Sequence, residues 1–440
     1  MFQSKSPLPN LRVFSSSNRR LVRLPKPHIY TVQAFTSTPA HSSKQNAEPP
    51  LLKSVLELPE GEPYAAAGTK LPSLPPSSNL LSEFRRLKKE WKLSESATYI
   101  RLIQNYDISS AAAKRLYEHN IPKSFSTVEW KEIAPLFGLN ESHDEQQLPQ
   151  IAVVRSRLPI DVFEALYRDV HNALLQYGPP GYSSNEEVRS RFVGSFLGEL
   201  VAVFESAICN YPGPSIKGGP TKGGRTENQF RGPFSINAIF LEAKRKIKHP
   251  GFLNPVFSPY KATVTQVMAE AIGCDFHNKL RGCSVPVLRI ASDGEYFDFF
   301  VYDPKRKMMY RSGQENIRSI HSRNIFCSIR LIAELIFDFL IMGYVYSLRS
   351  SLWLAGRTLE LQRPHTLKHK ESYISALDKA LEAQTLLREA ATVNQEGDFT
   401  KAEDLAKMGV LKLKESARLV PYYEDRGILT FYSREAAMRT

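Results

Sequence analysis

The chain has 440 residues, of which 42% are hydrophobic and 23% charged, so it is long and apolar enough to bury a large core. This composition excludes a disulfide-stapled miniprotein and a wholly disordered chain. The 58 Lys and Arg outnumber the 45 Asp and Glu, which gives a formal net charge of +13. A positive excess of this size makes a polyanion the first partner to consider.

The N-terminal 47 residues contain no Asp or Glu and are rich in Arg, Lys, Ser and Pro. An acid-free start of this kind is typical of an organelle transit peptide, and a disordered basic tail has the same composition. Residues 48–80 continue as a Pro/Ser-rich linker. We therefore assign residues 1–80 to a basic tail and linker, and we expect an intracellular protein of the nucleus or the mitochondrion.

Residues 81–183 form a helical region, because apolar side chains recur there at spacings of three and four. The clearest case is the segment 160–178, where Val162, Leu166, Val170 and Leu174 form one stripe. Such a stripe is an ordinary packing face. Nothing in this region predicts chemistry.

The pattern changes in residues 184–345, where helices alternate with strands. A helix is predicted over 185–208 with Asn185 as its N-cap, and a second helix over 263–273. Apolar strands are predicted over 238–241 and on both sides of Asp293-Gly294, a dipeptide typical of a hairpin turn. A further strand is predicted around 307–313. This order indicates an α/β (α+β) domain.

The most apolar stretch, Ile325 to Ser347, is interrupted by Arg330, Glu334 and Asp338, so it predicts a core helix and no membrane span. Residues 346–440 then predict a helical hairpin, with helices over 372–395 and 399–421. We expect this hairpin to pack on the central domain. Its outer surface is a candidate docking site for a protein partner.

One short motif carries a chemical interpretation. The apolar strand 238–241 runs directly into Glu242-Ala243-Lys244. Because side chains at i and i+2 point to the same face of a strand, the Glu242 carboxylate and the Lys244 ammonium are expected side by side. A carboxylate can bind a divalent metal ion, and a lysine beside it can position a water or stabilise the charge of a phosphate.

Together, these features resemble the PD-(D/E)xK nuclease-like superfamily, particularly the branch found in many fungal and oomycete proteins of mobile-element origin. The resemblance covers residues 184–345. It consists of the opening helix, the strand ending in Glu-Ala-Lys, a helix with Gln266 four residues before Glu270, and a strand followed by Ser-Asp-Gly and an aromatic-rich strand. The resemblance implies a restriction-endonuclease-like fold.

The resemblance also implies roles for single residues. Glu242 would be a ligand of Mg²⁺ and Lys244 the catalytic lysine, while Glu186, or Glu187 beside it, would be the glutamate of the first helix. Gln266 would be the polar residue of the helix packed across the sheet. The family expects an Asp before the E-x-K, and no Asp lies between residues 184 and 275. Glu227 is the acid that could take its place as the second metal ligand.

A basic segment surrounds these residues. Residues 216–250 hold eight Lys and Arg against two Glu, and their glycines permit close approach to a phosphate backbone. A solvated loop has the same composition. Apart from Lys244, the candidate nucleic-acid contacts in this segment are Lys217, Lys222, Arg225, Arg231, Arg245, Lys246 and Lys248.

Three hypotheses follow from the sequence. The first is a Mg²⁺-dependent nuclease that cleaves phosphodiester bonds in DNA. The second is a catalytically degenerate nuclease fold that binds nucleic acid or a protein, which the missing Asp favours. The third is a helical adaptor that docks a partner through the C-terminal hairpin. The sequence contains no phosphate-binding loop, G-x-S-x-G or H-E-x-x-H motif that would indicate another chemistry.

Overall fold

A computed structural model describes most of the chain beyond the N-terminal tail. The predictions for residues 1–79, the transit peptide among them, lie outside the part it describes. The described residues are 80–106, 125–139, 147–180, 185–212, 215–216, 224–225, 228–233, 237–243, 259–280, 283–317, 325–359 and 365–420.

Six α-helices precede the sheet in the described ranges, and the first four of them lie between residues 80 and 177. They are α1 (Leu80–Trp91), α2 (Glu95–Asn105), α3 (Trp130–Ile133), α4 (Ile160–Tyr177), α5 (Glu186–Gly194) and α6 (Leu197–Ala202). The predicted stripe on α4 is real, since Leu166 and Val170 are fully buried and Val162 and Leu174 pack against the same core.

The single helix predicted over 185–208 is wrong in two respects. The segment divides into α5 and α6, and regular helix ends at Ala202. Glu205 and Ser206 adopt positive φ angles of 42° and 71°, which no right-handed helix contains. The carboxylate of Glu205 accepts two hydrogen bonds of 2.6 Å from Arg418, near the C-terminus of the chain. A partner so distant in sequence cannot be read from local periodicity. The predicted N-cap is confirmed, because the Asn185 side chain accepts a bond from the amide of Glu187.

In the described part of the chain, eight strands form two sheets. The strands are β1 (Cys209–Pro212), β2 (Ser215–Ile216), β3 (Gly224–Arg225), β4 (Asn228–Arg231), β5 (Asn237–Ala243), β6 (Val287–Ser292), β7 (Tyr296–Asp303) and β8 (Met308–Asn316). The larger sheet has the order β1-β4-β5-β6-β7-β8, and β2 pairs with β3. All neighbours in the larger sheet are antiparallel except β5 and β6, which are parallel and joined through helix α7 (Pro259–Leu280). The chain is therefore a mixed helix and sheet protein.

The predicted hairpin at Asp293-Gly294 is confirmed. The Asp293 carboxylate accepts bonds from the amides of Glu295 and Tyr296, at 3.1 and 2.9 Å. Gly294 has a φ of +88°, and a Cβ placed there would lie 2.5 Å from the Cβ of Pro180. Glycine is required at this position both by the backbone angle and by the close neighbour.

Helix α7 covers one face of the larger sheet. Its buried residues Val264, Met268 and Ile272 pack on side chains that alternate along the strands. The strand residues in this cluster are Val287, Ala291, Phe300, Tyr302 and Met309, and the short helix α3 adds Trp130 and Ile133.

The opposite face is covered by α8 (Ile325–Leu359), on which α9 (His365–Gln395) and α10 (Phe399–Leu419) pack. The strands contribute apolar side chains to this cluster, among them Leu288, Ile290, Phe297, Phe299 and Val301. The predicted core helix and the predicted C-terminal helical hairpin are both confirmed, and α8 continues without a break past residue 345. Gly397, with a φ of +94°, forms the turn between α9 and α10. Among the described helices, none has the length and apolar character needed to cross a membrane.

A connecting segment, residues 151–158, is held by buried carboxylates of α8. Glu334 accepts bonds from Arg155, Arg330 and the amide of Leu158, while its own carbonyl accepts the amide of Ser156. One turn further along α8, Asp338 accepts a bond from the Ser156 hydroxyl and two from Arg388 of α9, all at 2.8 Å. These are the charged residues that interrupt the apolar stretch of the sequence.

Candidate functional site

The candidate catalytic residues follow the end of β5. In the parallel pairing with β6, Glu242 is in register with Ala291 and Ala243 with Ser292. The carboxyl ends of β5 and β6 therefore lie at the same edge of the sheet. The side chain of Glu242, and Lys244 and Glu227 as a whole, lie outside the described residues.

The glutamates of the opening helix lie in the first turn of α5, which packs beside β5. The amide of Glu187 donates to its N-cap, and the Glu187 carboxylate accepts a bond of 2.9 Å from Arg191 one turn on. Carboxylates are favoured in a first helical turn because unpaired amides point toward them. The helix carrying Glu186 and the strand carrying Glu242 are thus neighbours, although they are far apart in sequence.

Gln266, which is partly buried, bonds to a buried ion pair between α7 and the sheet. Its side-chain amide donates a bond of 2.7 Å to Glu270, and Glu270 forms an ion pair with Arg289 of β6. Glu270 and Arg289 are both fully buried. Two full charges removed from water are stable only as a pair. The pairing of Glu270 with Arg289 therefore anchors α7 on β6, in the middle of the sheet, and the bond from Gln266 to Glu270 holds the Gln266 side chain beside it.

A second buried polar group lies beside it. Asp298 of β7 accepts hydrogen bonds from the Tyr260 hydroxyl and from Arg311 of β8, the latter at 2.8 Å. The guanidinium of Arg311 also lies over the Tyr260 ring, 4.7 Å from its centre. Burial raises the pKa of the Asp298 carboxyl, although Arg311 and Tyr260 favour its charged form.

The register of the strands relates both groups to β5. One row across the sheet runs from Gln229 through Phe240, Arg289 and Phe300 to Arg311, and the next runs from Glu242 through Ala291 to Asp298. Residues of one row share a face in a regular sheet, and these two rows, two residues apart, lie on the same face. Arg289 and Asp298 therefore belong to the rows that include Phe240 and Glu242 near the end of β5. The E-x-K strand is therefore flanked by a charged layer under α7.

Sequence interpretation missed Glu270, Arg289, Asp298 and Arg311 as a unit. A signal was present, because Arg289 and Asp298 interrupt the otherwise apolar strands "VLRIAS" and "YFDFFVYD". A charge inside a buried strand requires a buried partner. The identity of that partner depends on the register, which the sequence does not show.

The start of β4 faces the end of β5. Asn228 pairs with Leu241, the residue before Glu242, and its amide oxygen accepts a bond of 3.0 Å from Asn210 of β1. The described strand end that pairs with the end of β5 thus offers a pair of amides. Within the described ranges, no group of three His, Cys, Asp or Glu side chains could hold a metal ion.

The basic residues of 216–250 are described only in part. Arg231 lies over the ring of Tyr211, with 4.4 Å between its guanidinium carbon and the ring centre, and it donates a 2.9 Å bond to Gln229. Arg225 pairs with Ser215 through the backbone of β2 and β3. The predicted contacts Lys217, Lys222, Arg245, Lys246 and Lys248 lie outside the described residues.

Comparisons of the chain with protein-family models, with curated proteins and with solved structures found no match.

Proposed function

We propose that residues 184–345 form a restriction-endonuclease-like domain of the PD-(D/E)xK type, which hydrolyses phosphodiester bonds in DNA at the carboxyl end of β5. The observation that carries this proposal is the parallel pairing of β5 with β6 through α7. It brings the Glu-Ala-Lys motif to the same sheet edge as the Ser-Asp-Gly turn. Ligands of open α/β sheets bind beyond the carboxyl ends of parallel strands, so this edge is where a substrate would be expected.

The order of the other elements supports the same proposal. The opening helix α5 packs beside β5, and α7 carries Gln266 across the sheet. The aromatic-rich strand β7 follows the Ser-Asp-Gly turn and pairs with the whole length of β6. These are the elements on which the resemblance to the nuclease-like superfamily rests.

In this proposal Glu242 would hold Mg²⁺, a cation that prefers oxygen ligands. A bound Mg²⁺ supplies a positive charge that favours attack on a phosphate. Lys244 would position the attacking water and stabilise negative charge on the phosphate oxygens. Glu227 remains the proposed second ligand, because Asp293, the carboxylate that follows β6 at the same edge, is bonded to the amides of Glu295 and Tyr296.

Nicking of supercoiled plasmid by the full-length protein tests the proposal. We expect Mg²⁺-dependent nicking that EDTA stops and that Lys244→Ala lowers by about two to three orders of magnitude, as loss of a charge-stabilising group does. Lys401→Ala is the matched control, because Lys401 is an exposed lysine of α10. Equal nicking by Lys244→Ala and the control would contradict the assignment.

A second candidate is a catalytically degenerate nuclease fold that binds nucleic acid without cutting it. The amide pair Asn210–Asn228 favours this version, because two neutral side chains occupy the described strand end opposite β5. The same plasmid assay separates the two: salt-sensitive DNA binding without nicking at any Mg²⁺ concentration selects the degenerate version.

The adaptor hypothesis has less support. Most apolar side chains of the C-terminal hairpin pack inward, including Ala402, Ala406 and Leu413. Met408 and Leu411 are about half exposed on α10, at 47% and 51%. Single exposed apolar residues are common on protein surfaces, so they do not by themselves indicate a partner.

A further inference from the structure

A group of cations lies at the end of the larger sheet opposite the proposed catalytic edge. The turn between β7 and β8 carries Lys305, Arg306 and Lys307, and the last turn of α7 carries Lys279. Arg101 of α2 joins them, because the neighbouring Leu102 packs in one cluster with Phe276, in the same part of α7 as Lys279. We call Arg101, Lys279, Lys305, Arg306 and Lys307 the basic patch.

The acids that pair with patch residues are buried, while the cations of the patch reach solvent. Asp275, which pairs with Lys279 at 2.6 Å, is 1% exposed, and Asp303 is 1% exposed. Lys305, Arg306 and Arg101 are exposed. The surface presented here is therefore positive, although carboxylates lie beneath it.

The patch is held in place by the fold. The Asp303 carboxylate accepts the amides of Lys305 and Arg306, at 2.8 and 3.1 Å, which fixes the turn. Arg101 lies over the ring of Trp91, 5.3 Å from its centre, and Trp91 stacks on Tyr106. An arginine packed on an aromatic ring can still donate hydrogen bonds from its N–H groups to phosphate oxygens.

The α1–α2 pair is anchored to α7 as well. Buried Phe84, Leu87 and Leu102 of these helices form a cluster that includes Phe276, next to Asp275. The cations from three separate parts of the chain thus belong to one supported surface. Crowding these cations over only two buried carboxylates, Asp275 and Asp303, costs folding free energy. Burial of Lys307, together with the charges of Lys279 and Arg101, lowers its pKa.

We propose that the basic patch binds the phosphate backbone of duplex DNA, as a second contact surface separate from the catalytic edge. The occupant follows from charge complementarity, since a row of phosphates can neutralise several closely spaced cations without any base being read. This inference rests on the proposed function for its choice of polyanion.

The distance along α7 gives the proposal a length requirement. Gln266 and Lys279 are separated by thirteen residues of helix, which is about 20 Å at 1.5 Å per residue. A duplex would have to extend about six base pairs beyond the catalytic edge to reach the patch, at about 3.4 Å per base pair.

The test measures binding of a labelled duplex of about 30 base pairs to the full-length protein by fluorescence anisotropy, between about 50 and 200 mM salt. The patch variant is Arg101→Gln/Lys305→Gln/Lys307→Asn, where Asn suits the positive φ of residue 307. We expect about tenfold weaker binding and a slope of log affinity against log salt that is smaller by about two to three.

A control variant removes three lysines from the opposite side of the sheet: Lys379→Gln/Lys401→Gln/Lys407→Gln, on α9 and α10. It should keep the wild-type salt slope, because the same charge is removed without a phosphate contact being lost. Lys305→Glu alone, at an exposed position, should weaken binding more than Lys305→Gln. Thermal unfolding of each variant checks that the fold is retained.

Equal affinity and slope in the patch and control variants would overturn the proposal. So would a patch variant that loses binding to vesicles containing phosphatidylserine while its DNA binding is unchanged. The outcome is distinguishable from that of the catalytic proposal. Patch-dependent binding without nicking leaves this inference standing, and Lys244-dependent nicking with no patch effect leaves only the nuclease.

Discussion

The two faces of the larger sheet both bury carboxylates, and they do so in different ways. On the α7 face the strands themselves carry the charges, with Arg289, Asp298 and Arg311 paired to one another or to the helix. On the α8 face the described strands contribute apolar side chains to the core, and the acids Glu334 and Asp338 come from the helix. In the described part of the sheet, the charged layer thus lies on the face that bears the row of Glu242.

This difference separates two uses of a buried ion pair. Glu334 and Asp338 hold a connecting segment and α9 in one position on α8, so their ion pairs fix how these elements pack. Gln266, Glu270 and Arg289 instead position α7 over β6, the parallel neighbour of the strand that ends in the proposed catalytic motif. We infer that the α8 face is concerned with stability and the α7 face with function. Substitutions on each face test that division.

The largest expected effect is on the α8 face. Glu334→Gln removes the carboxylate shared by Arg155 and Arg330 and leaves buried positive charge without compensation. We expect a loss of about 3–5 kcal/mol in the free energy of unfolding, measured by urea denaturation. Glu382→Gln, which removes an exposed ion pair on α9, is the control and should change stability by at most about 1 kcal/mol. Similar losses in both variants would contradict the structural role given to Glu334.

A smaller loss of stability is expected at the turn between β6 and β7, which lies at the proposed catalytic edge. Gly294→Ala would strain a backbone with φ +88° and place a Cβ against Pro180, costing about 2–4 kcal/mol. Gly313→Ala is a close control, because φ is +90° there and the nearest atom to an added Cβ is 4.0 Å away. The difference between the two variants in thermal or urea unfolding measures the close packing alone. No difference would mean that the turn is not held against Pro180.

The smallest effect is a pH dependence on the α7 face. Since burial raises the pKa of Asp298 above its ordinary value of 3.8, the folded state binds this proton more tightly than the unfolded state. The contribution of Asp298 to stability is therefore most favourable below about pH 4 and falls as the pH rises through the folded pKa. The stability of the wild type relative to Asp298→Asn should decrease over that range, by at most about 1.4 kcal/mol for each pH unit.

Asp275, whose pKa is also raised by burial, provides a second case at the far end of α7. The wild type should likewise lose stability relative to Asp275→Asn as the pH rises above about 4. Unfolding curves at a series of pH values check both residues. A wild type that gains stability over these variants as the pH rises would instead indicate carboxyls with a lowered pKa.

The sequence predicted those parts of the fold that depend on neighbours along the chain. The hairpin at Asp293-Gly294, the N-cap at Asn185 and helix α8 all carry local signals and are confirmed. The end of α6 was missed because Glu205 bonds to Arg418, 213 residues away. The same holds for the site: the spacing of Gln266 and Glu270 is visible in the sequence, whereas the pairing of Glu270 with Arg289 appears only when α7 lies across β6.

Hydrogen–deuterium exchange of the full-length protein, with and without duplex DNA, tests the division between the faces most directly. We expect slower exchange on DNA binding in β5, in the N-terminal half of α7 and in the β7–β8 turn, with α9 and α10 unchanged. Bound phosphates shield the amides they cover and reduce local opening. Protection confined to α9 and α10, under conditions where the DNA is bound, would contradict a functional α7 face.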